Sequence, residues 1–172
     1  MSNFFPDIYQ KNIYTINYQK LWDSGIRCLL FDLDNTCVPY KEKKSTKELK
    51  ELFNNLSSLG FKIIIFSNSP KRRLKRFSDL GIEFNSFSMK PLSHNFYKIL
   101  KKYGYDKSEV IIIGDQIFTD VYGGNKVGIR TCLVDPLTNV DMMATKLTRL
   151  LENRKINMLG KTRGFKRGKY YD

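Results

Sequence analysis

Short apolar runs alternate with longer amphipathic stretches along most of the chain, from residue 27 to residue 151. A short apolar run bounded by turn residues is typical of a buried strand, whereas apolar residues recurring every three or four positions are typical of a helix. The runs predict strands at residues 28–31, 61–66, 84–88, 109–113 and 129–134. The amphipathic stretches predict helices at residues 46–59, 71–80, 92–103, 119–127 and 140–151.

The order of these elements predicts the fold class. Strands that alternate with helices and are apolar throughout are typical of a parallel sheet covered by helices on both faces. We therefore expect an α/β protein with a doubly wound, Rossmann-like domain. In an open sheet of this kind, ligands bind beyond the carboxyl ends of the strands, so the polar residues that directly follow each strand are the candidates for chemistry.

Length and composition favour one domain that is made and kept in the cytoplasm. The chain has 172 residues, of which 41% are hydrophobic, and this is enough for one core without disulfides or a structural metal. It has no apolar run of the ~18 residues that cross a bilayer, and its first residues do not have the pattern of a signal peptide.

Cys28, Cys37 and Cys132 lack paired spacing, so we expect free, buried thiols. The single histidine, His94, excludes a histidine-rich zinc site and is expected at the surface or in a turn.

The charge changes the picture of possible partners. The formal net charge is +13 at pH 7; residues 154–172 hold seven basic residues against one acid, and residues 71–76 hold five more. We expect an aromatic N-terminal arm at 1–26, the α/β domain at 27–153 and a basic tail at 154–172, mobile after residue 157. Such a basic surface favours phosphate-rich partners, which include nucleic acid, anionic lipid and acidic substrates. The alternative is that the charge serves only to keep the protein soluble.

Polar side chains follow four of the predicted strands. They supply two carboxylates, a hydroxyl and an amide, an ammonium group and two further carboxylates: Asp32 and Asp34, Ser67 and Asn68, Lys90, and Asp115 and Asp120. Four acids on one rim of a sheet would repel one another unless a cation lay among them. Oxygen ligands without histidine or cysteine favour a hard ion, above all Mg²⁺. The lysine and the Ser and Asn donors suit a phosphoryl group beside that ion.

The same residues form motifs in a characteristic order: Asp32-Leu33-Asp34-Asn35-Thr36, Ser67-Asn68, Lys90-Pro91, and Gly114-Asp115 with Asp120. This arrangement resembles the haloacid dehalogenase (HAD) superfamily of phosphotransferases over residues 27–151. The first and last motifs, with Gly123-Gly124-Asn125, are similar to those of the YqeG-type HAD subfamily IIIA phosphatases, a group related to phosphatidylglycerophosphate phosphatases. The resemblance implies a HAD-like catalytic domain at 27–153 that hydrolyses phosphate monoesters.

The resemblance also implies a mechanism. Asp32 would attack phosphorus and form an aspartyl-phosphate, and Asp34 would protonate the leaving alcohol and then deprotonate water. Asp32, the backbone carbonyl of Asp34 and Asp115 would bind Mg²⁺. Asp120 would hold waters of the metal or orient Lys90.

The other site residues would act on the phosphoryl group. The resemblance implies that Ser67, helped by Asn68, donates to a phosphoryl oxygen, and that Lys90 neutralises charge on the transferring group. From the residues alone, Ser67 also fits a helix cap and Lys90 a solvated loop. Short polar residues and glycines nearby are expected to shape tight turns: Asn35, Thr36, Gly123 and Gly124.

The predicted elements leave no space for a cap domain, which HAD enzymes often carry after the first or second motif. We therefore expect an open site, which favours a phosphate on a bulky carrier. The arm is rich in residues that suit a headgroup boundary, and basic residues attract anionic lipid: the arm residues are Phe4, Phe5, Ile8, Tyr9, Ile13, Tyr14, Ile16, Tyr18 and Trp22. The favoured function is Mg²⁺-dependent dephosphorylation of phosphatidylglycerophosphate at the inner face of the membrane.

Other interpretations stay open. One is a soluble HAD phosphatase acting on a nucleotide, a sugar phosphate or a phosphoprotein. Another is a basic protein associated with RNA or the ribosome, although the chain lacks the motifs of common RNA-binding domains. The arm, likewise, could simply pack on the edge of the sheet.

Overall fold

A parallel sheet forms the centre of the protein. The computed structural model describes residues 3–138 and 165–172. Within these ranges the sheet has six strands: β1 (Ile8–Gln10), β2 (Cys28–Phe31), β3 (Lys62–Phe66), β4 (Glu83–Asn85), β5 (Val110–Gly114) and β6 (Arg130–Val134). The strands lie in the order β1-β6-β5-β2-β3-β4, and every neighbouring pair is parallel.

Helical segments connect the strands. They are α1 (Tyr18–Asp23), α2 (Lys47–Ser58), α3 (Lys71–Leu74), α4 (Ser93–Tyr103) and α5 (Tyr122–Val127). Short 3₁₀ turns occur at Ile13–Thr15, Lys75–Leu80 and Lys107–Glu109, and a π-helical turn at Ile117–Val121 leads into α5. No helix of the described residues is long and apolar enough to cross a membrane.

The two larger hydrophobic cores of the described residues lie on opposite faces of the sheet. Alternate residues of a strand point to opposite faces, so a strand that is apolar throughout contributes to both cores. On one face, Phe31 of β2 packs against Phe53 of α2, with ring centroids 5.2 Å apart. On the other, Phe66 of β3 packs against Phe96 of α4 at 4.8 Å. The prediction of a doubly wound, Rossmann-like α/β domain is confirmed.

The element boundaries agree closely with the periodicity, with two differences of note. The third predicted strand, 84–88, ends at Asn85, because the backbone turns through left-handed conformations at Phe87 and Met89. The predicted basic helix 71–80 is α-helical only to Leu74 and continues as a 3₁₀ turn, with non-helical dihedrals at Phe77. The predicted helix at 140–151 lies outside the described residues.

The N-terminal arm is part of the sheet rather than a separate aromatic surface. Its residues 8–10 form β1 and pair with β6, so the sheet has one strand more than the apolar runs predicted. Most of the arm residues suggested for a headgroup boundary are buried in the core: Ile8, Tyr9, Ile13, Ile16 and Tyr18. The interpretation of the arm as packed on the sheet edge is the one that the structure supports.

The described end of the chain also packs on this edge. Tyr171 forms an antiparallel bridge with Tyr9, through N–H···O bonds of 2.9 and 2.8 Å. Phe165 is buried against Tyr9 and Phe5. The prediction of a mobile tail is therefore wrong for residues 165–172, because the aromatic residues among the lysines and arginines anchor the segment.

The glycine pair has a packing role. Gly123 and Gly124 lie within α5 and not in a tight turn, which corrects the sequence prediction. A Cβ atom at position 124 would stand 2.6 Å from side-chain atoms of Ile112 and Thr131. Glycine at this position therefore lets α5 approach the sheet closely. The three cysteines are free and buried, as predicted, and His94 is exposed.

Candidate active site

Most of the predicted site residues meet at the carboxyl edge of the sheet. β2 lies between β3 and β5, and Phe31 is in register with Ile65 and Ile113. The chain segments that follow these three strands therefore begin side by side. The connection from β2 to β3 contains only α2, and that from β3 to β4 only α3 and its 3₁₀ extension. Neither connection contains a cap domain.

Asp32, Lys90 and Asp120 form a buried group that we call the inner cluster. The Nζ atom of Lys90 donates to Asp32 Oδ1 at 2.8 Å and to Asp120 Oδ1 at 2.7 Å. The lysine and Asp120 side chains are each only 1% exposed, and the Asp32 side chain 9%. The alternative that Lys90 is a solvated lysine in a loop is therefore excluded. Asp120 contacts Lys90 directly.

Opposing effects set the protonation of this cluster. Burial raises the pKa of Asp32 to about 6, with Lys90 opposing the shift and Asp120 adding to it. Burial by itself would lower the pKa of Lys90, but the neighbouring carboxylates of Asp120 and Asp32 raise it above its ordinary value. Lys90 therefore remains an ammonium ion at neutral pH, and Asp32 is mainly ionised beside it.

Local backbone geometry positions Asp120 and Lys90, the other two members of the inner cluster. Asp120 is held from the β5 side, where the backbone N–H of Gln116 donates to its Oδ2 atom at 3.2 Å. A Cβ atom at Gly114 would lie 2.2 Å from the Asp120 carboxyl group, so glycine is required for this approach. Asn68 holds the backbone of Lys90, accepting from its N–H at 2.8 Å and donating to its carbonyl at 3.1 Å. The side chain of Asn68 is thus engaged with the lysine loop rather than directed to a substrate.

Asp34, Ser69 and Arg73 form a second group, which we call the outer cluster. Arg73 donates to Asp34 Oδ1 through Nε at 3.0 Å and through Nη2 at 2.8 Å, and the Ser69 hydroxyl donates to Oδ2 at 2.5 Å. The side chain of Asp34 is 15% exposed and that of Arg73 is 11% exposed. The carboxylate of Asp34 is therefore held nearer to the surface than that of Asp32.

Ser67 and Asp115 complete the set of buried polar residues. The hydroxyl of Ser67 accepts from the backbone N–H of Ser69 at 3.2 Å. This is a local turn contact and not the helix cap that the sequence allowed, because α3 has Pro70 at its N-cap and no side-chain cap bond. The Thr36 hydroxyl donates to Asp115 Oδ1 at 3.1 Å, and both residues are buried. Thr36 therefore supports the site as well as the turn.

The donor set can be compared with that of a metal site. Over residues 3–138 and 165–172, no group of three or more His, Cys, Asp and Glu side chains has the arrangement of a metal site. Of the four carboxylates predicted beside a cation, Asp34 pairs with Arg73 and Asp120 pairs with Lys90. Asp32 and Asp115 are the carboxylate ligands that the resemblance implies, with the backbone carbonyl of Asp34 as a third oxygen. Both carboxylates are buried at the ends of adjacent strands, and all the donors are oxygens. This chemistry fits a hard divalent cation.

The contacts of three residues of the site could not be predicted from the sequence. Arg73 belonged to a basic stretch that indicated only phosphate-rich partners, Ser69 followed the Ser67-Asn68 motif, and Thr36 ended the first motif but was expected only to shape a turn. The one sequence feature that could have pointed to these residues is their position, because each lies in a motif or within a few residues of one. Which member of the basic stretch turns inward depends on the three-dimensional path of α3.

Comparison with known proteins agrees with this geometry. A HAD-hydrolase-like family model matches residues 89–144. The chain is 37% identical over 157 residues to the probable phosphatase YqeG of Bacillus subtilis, covering 91% of each protein. It is 27% identical over 152 residues to phosphatidylglycerophosphate phosphatase 1 of Arabidopsis thaliana, covering 79% of this chain and 42% of that protein.

A solved structure shows the same fold. The cobalt-bound form of deoxy-D-mannose-octulosonate 8-phosphate phosphatase from Haemophilus influenzae aligns with a TM-score of 0.52 at 16% identity, over 83% of this chain and 93% of that one. The fold and the strand-end carboxylates thus define a hydrolase of the HAD class. The chain belongs to the HAD superfamily of phosphatases and, within it, to the group of Bacillus subtilis YqeG.

Proposed function

We propose that this phosphatase hydrolyses phosphatidylglycerophosphate at a membrane surface through an aspartyl-phosphate on Asp32, with a bound divalent cation, Mg²⁺. The observation that carries the proposal is the inner cluster, in which a buried ammonium ion contacts Asp32 and Asp120. Such an arrangement keeps a nucleophilic carboxylate ionised and places a positive charge where phosphoryl oxygens would arrive.

The chemistry consists of two displacements at phosphorus. In the first, an Asp32 oxygen forms a bond to phosphorus while the bond to the leaving oxygen breaks, and Asp34 gives that oxygen a proton. In the second, Asp34 takes a proton from water, the water oxygen bonds to phosphorus, and the acyl-phosphate bond breaks to release inorganic phosphate. The outer cluster supports this role, because Arg73 and Ser69 hold the Asp34 carboxyl group in one orientation.

Asp32, Asp115 and the Asp34 backbone carbonyl would hold the cation. When bound, the cation would neutralise negative charge on the phosphoryl oxygens. Thr36 would fix the orientation of the Asp115 carboxylate through its hydrogen bond. Asp120 would act through Lys90, which it contacts at 2.7 Å.

Lys90 and Ser67 would contact the phosphoryl group from the protein side. Lys90 is buried, charged and braced by Asn68, so its charge needs little reorganisation when substrate arrives. Ser67 is buried at the end of β3, and its hydroxyl would donate to a phosphoryl oxygen while it continues to accept from Ser69.

The lipid substrate is supported by likeness and by the open mouth of the site. The Arabidopsis thaliana relative carries the name of a phosphatidylglycerophosphate phosphatase. The connections after β2 and β3 contain no cap domain, so a phosphate on a bilayer-embedded carrier could reach Asp32. The net charge of +13 favours an anionic leaflet.

A phosphate-release panel tests the proposal. Wild-type protein is assayed with phosphatidylglycerophosphate in mixed micelles, p-nitrophenyl phosphate, a nucleotide and a sugar phosphate, each with Mg²⁺ and with EDTA. We expect the lipid to be the best substrate, EDTA to abolish turnover, and acid quenching to trap a base-labile phosphate on the wild type but not on Asp32→Asn. Turnover of a soluble ester well above that of the lipid would reject the lipid assignment, and undiminished turnover in EDTA would reject the cation.

A further inference from the structure

An exposed apolar patch lies beside the candidate active site. Phe87, Met89 and Leu92 expose 59%, 58% and 51% of their surface, although Lys90 in the same loop is buried. One short loop therefore directs the lysine of the inner cluster inward and three large apolar side chains outward. Isolated exposed apolar residues are common, but several together mark a surface that contacts a partner. We call these three residues the apolar rim.

The exposure of the apolar rim does not come from a loosely held chain. The backbone N–H of Phe87 donates to the carbonyl of Ser69 at 3.2 Å, and that of Ser88 donates to the carbonyl of Ser67 at 3.0 Å. Phe87 and Met89 have φ values of 50° and 49°, in the left-handed region that bulky residues rarely adopt. Hydrogen bonds thus brace this backbone while its side chains extend into solvent.

The same contacts place the apolar rim next to the mouth of the site. Ser69 links the two, because its carbonyl accepts from Phe87 and its hydroxyl donates to Asp34. A surface that covers the apolar rim would therefore lie beside the outer cluster.

Positive charge surrounds the apolar rim. Lys71 and Arg72 are exposed at the start of α3, two residues beyond Ser69. Arg73, which contacts Asp34, also donates to the backbone carbonyl of Glu42, so a lysine-rich loop is tied to the outer cluster. The exposed lysines of that loop are Lys41, Lys43 and Lys44.

We propose that the apolar rim and these cations dock the enzyme on an anionic lipid bilayer, with the mouth of the site facing the headgroups. Apolar side chains flanked by lysine and arginine bind such an interface through buried apolar area and attraction to anionic lipid. Charge complementarity therefore identifies the occupant as an anionic bilayer. The inference rests on the proposed function and deepens it by naming the surface through which the substrate is reached.

Vesicle flotation with the full chain tests this docking surface. The vesicles contain equal parts of phosphatidylcholine and phosphatidylglycerol, or phosphatidylcholine alone, at an ionic strength of about 0.15 M. The test variant is Phe87→Asn with Leu92→Asn. Asparagine tolerates the left-handed backbone at position 87, and it is a favoured N-cap at position 92, where α4 begins. Both changes are therefore compatible with the fold.

Matched controls remove the same chemistry from the opposite edge of the sheet. Leu59→Asn changes a 43% exposed leucine just after α2, and Lys101→Gln with Lys126→Gln removes two exposed lysines near the ends of α4 and α5. The charged part of the docking surface is tested by Lys71→Gln plus Arg72→Gln. Its vesicle binding is compared with that of the Lys101→Gln plus Lys126→Gln control.

We expect the wild type to bind only the anionic vesicles, and the rim variant to lose binding by about tenfold or more. Turnover of p-nitrophenyl phosphate should stay within about twofold of wild type in the rim variant, since its substitutions lie outside the reacting groups. The Lys71 and Arg72 changes should weaken vesicle binding, and the edge controls should bind like wild type.

Several results would overturn the docking surface. These are a wild type that does not bind anionic vesicles, a rim variant that binds like wild type, and edge controls that lose as much binding as the rim variant. Binding of a single-stranded RNA that is lost in the rim variant, with vesicle binding unchanged, would assign the patch to nucleic acid instead. Hydrolysis of micellar phosphatidylglycerophosphate, measured in parallel, separates the claims: vesicle binding without lipid hydrolysis rejects the substrate, and lipid hydrolysis without vesicle binding rejects the docking surface.

Discussion

The inner and outer clusters place the same side chain in contrasting surroundings. Asp32 and Asp34 are separated by one residue, yet Asp32 is bound by a buried lysine that it shares with Asp120, whereas Asp34 is bound by an arginine nearer to the surface. Arg73 also donates to the backbone of Glu42, so the outer cluster is tied to a surface loop. Neighbours therefore set the surroundings of each carboxylate, and under the proposed function the inner one attacks phosphorus while the outer one transfers protons at the mouth.

The largest expected effect separates the two carboxylates by their chemistry. Asp32→Asn should lower turnover by about 10⁴-fold or more, because the amide cannot form the acyl-phosphate. Asp34→Asn should also be nearly inactive, but after acid quenching with an activated ester it should retain some phosphate on Asp32. Phosphate release and trapping of the phosphoprotein measure the difference.

Asp106→Asn is the control for the aspartate substitutions. Asp106 is an exposed N-cap, a position at which asparagine serves equally well. Full activity in this control with residual wild-type turnover in Asp32→Asn would contradict the nucleophile assignment.

The next effect tests whether the inner cluster depends on the ammonium group of Lys90. Lys90→Met should lower turnover by about 10²–10³-fold, because a charge beside the transferring group is lost. It should also cost about 3–5 kcal/mol of unfolding free energy at neutral pH, since Asp32 and Asp120 are left buried without their cationic partner. Urea unfolding of the metal-free proteins measures that cost.

The pH dependence of this loss has a definite sign. Burial already raises the pKa of Asp32 to about 6, and removing Lys90 raises it further. A raised carboxyl pKa gives stability that is present at low pH and lost as pH rises through the folded-state pKa. The unfolding free energy of Lys90→Met should therefore approach that of the wild type as pH falls from 8 to 5.

The control for this loss is Lys62→Met, which removes a partly exposed partner of Glu83. Its unfolding free energy should fall by only ~0–1 kcal/mol. Equal losses in the two lysine variants would contradict a special role for the buried ion pair.

The sequence predicted the inner cluster better than the outer one, for a physical reason. Asp32, Lys90 and Asp120 each follow an apolar strand or lie in a motif, and parallel strands bring their carboxyl ends to one edge. The partner of Asp34 depends instead on which residue of 71–76 turns inward, and five of these six residues are basic. Charge pattern alone cannot distinguish Arg73 from Arg72, because the contacts that select Arg73 are three-dimensional: it packs over the Phe77 ring and donates to the backbone carbonyl of Glu42.

The edges of the fold were harder to predict than its centre. The central strand at 28–31 has the predicted bounds, because four consecutive apolar residues leave little alternative. β1 has only three residues, and the end of the chain adds a single bridge to it. β1 pairs with β6 across 124 positions, as between Ile8 and Cys132. The bridge joins residues about 160 positions apart, as the bond from Tyr9 N–H to the Tyr171 carbonyl shows. No local periodicity reports a pairing of that kind.

A smaller effect tests the outer cluster through the leaving group. Arg73→Met removes the two N–H groups that both donate to Asp34 Oδ1, so the Asp34 carboxyl group is less well oriented and proton delivery to the leaving oxygen should become less efficient. An alkyl phosphate needs that proton, whereas p-nitrophenolate is a good leaving group without it. We expect kcat to fall by about tenfold or more for glycerol phosphate and by about twofold for p-nitrophenyl phosphate. Arg72→Met, at the exposed neighbouring position, should change neither rate, and an equal loss on both esters in Arg73→Met would indicate a merely structural role.

The smallest effect concerns the support of Asp115. Thr36→Val preserves the shape of the side chain but removes the hydroxyl that donates to Asp115 Oδ1 at 3.1 Å. Residues that orient a metal ligand contribute about 10-fold to metal affinity, so the Mg²⁺ concentration for half-maximal activity should rise by that amount while turnover at saturating Mg²⁺ changes little. Thr36→Ser keeps the hydroxyl and should restore the wild-type requirement. An unchanged Mg²⁺ requirement in Thr36→Val would separate Asp115 from the cation, because a carboxylate that binds the metal should respond to the loss of a hydrogen bond that fixes its orientation.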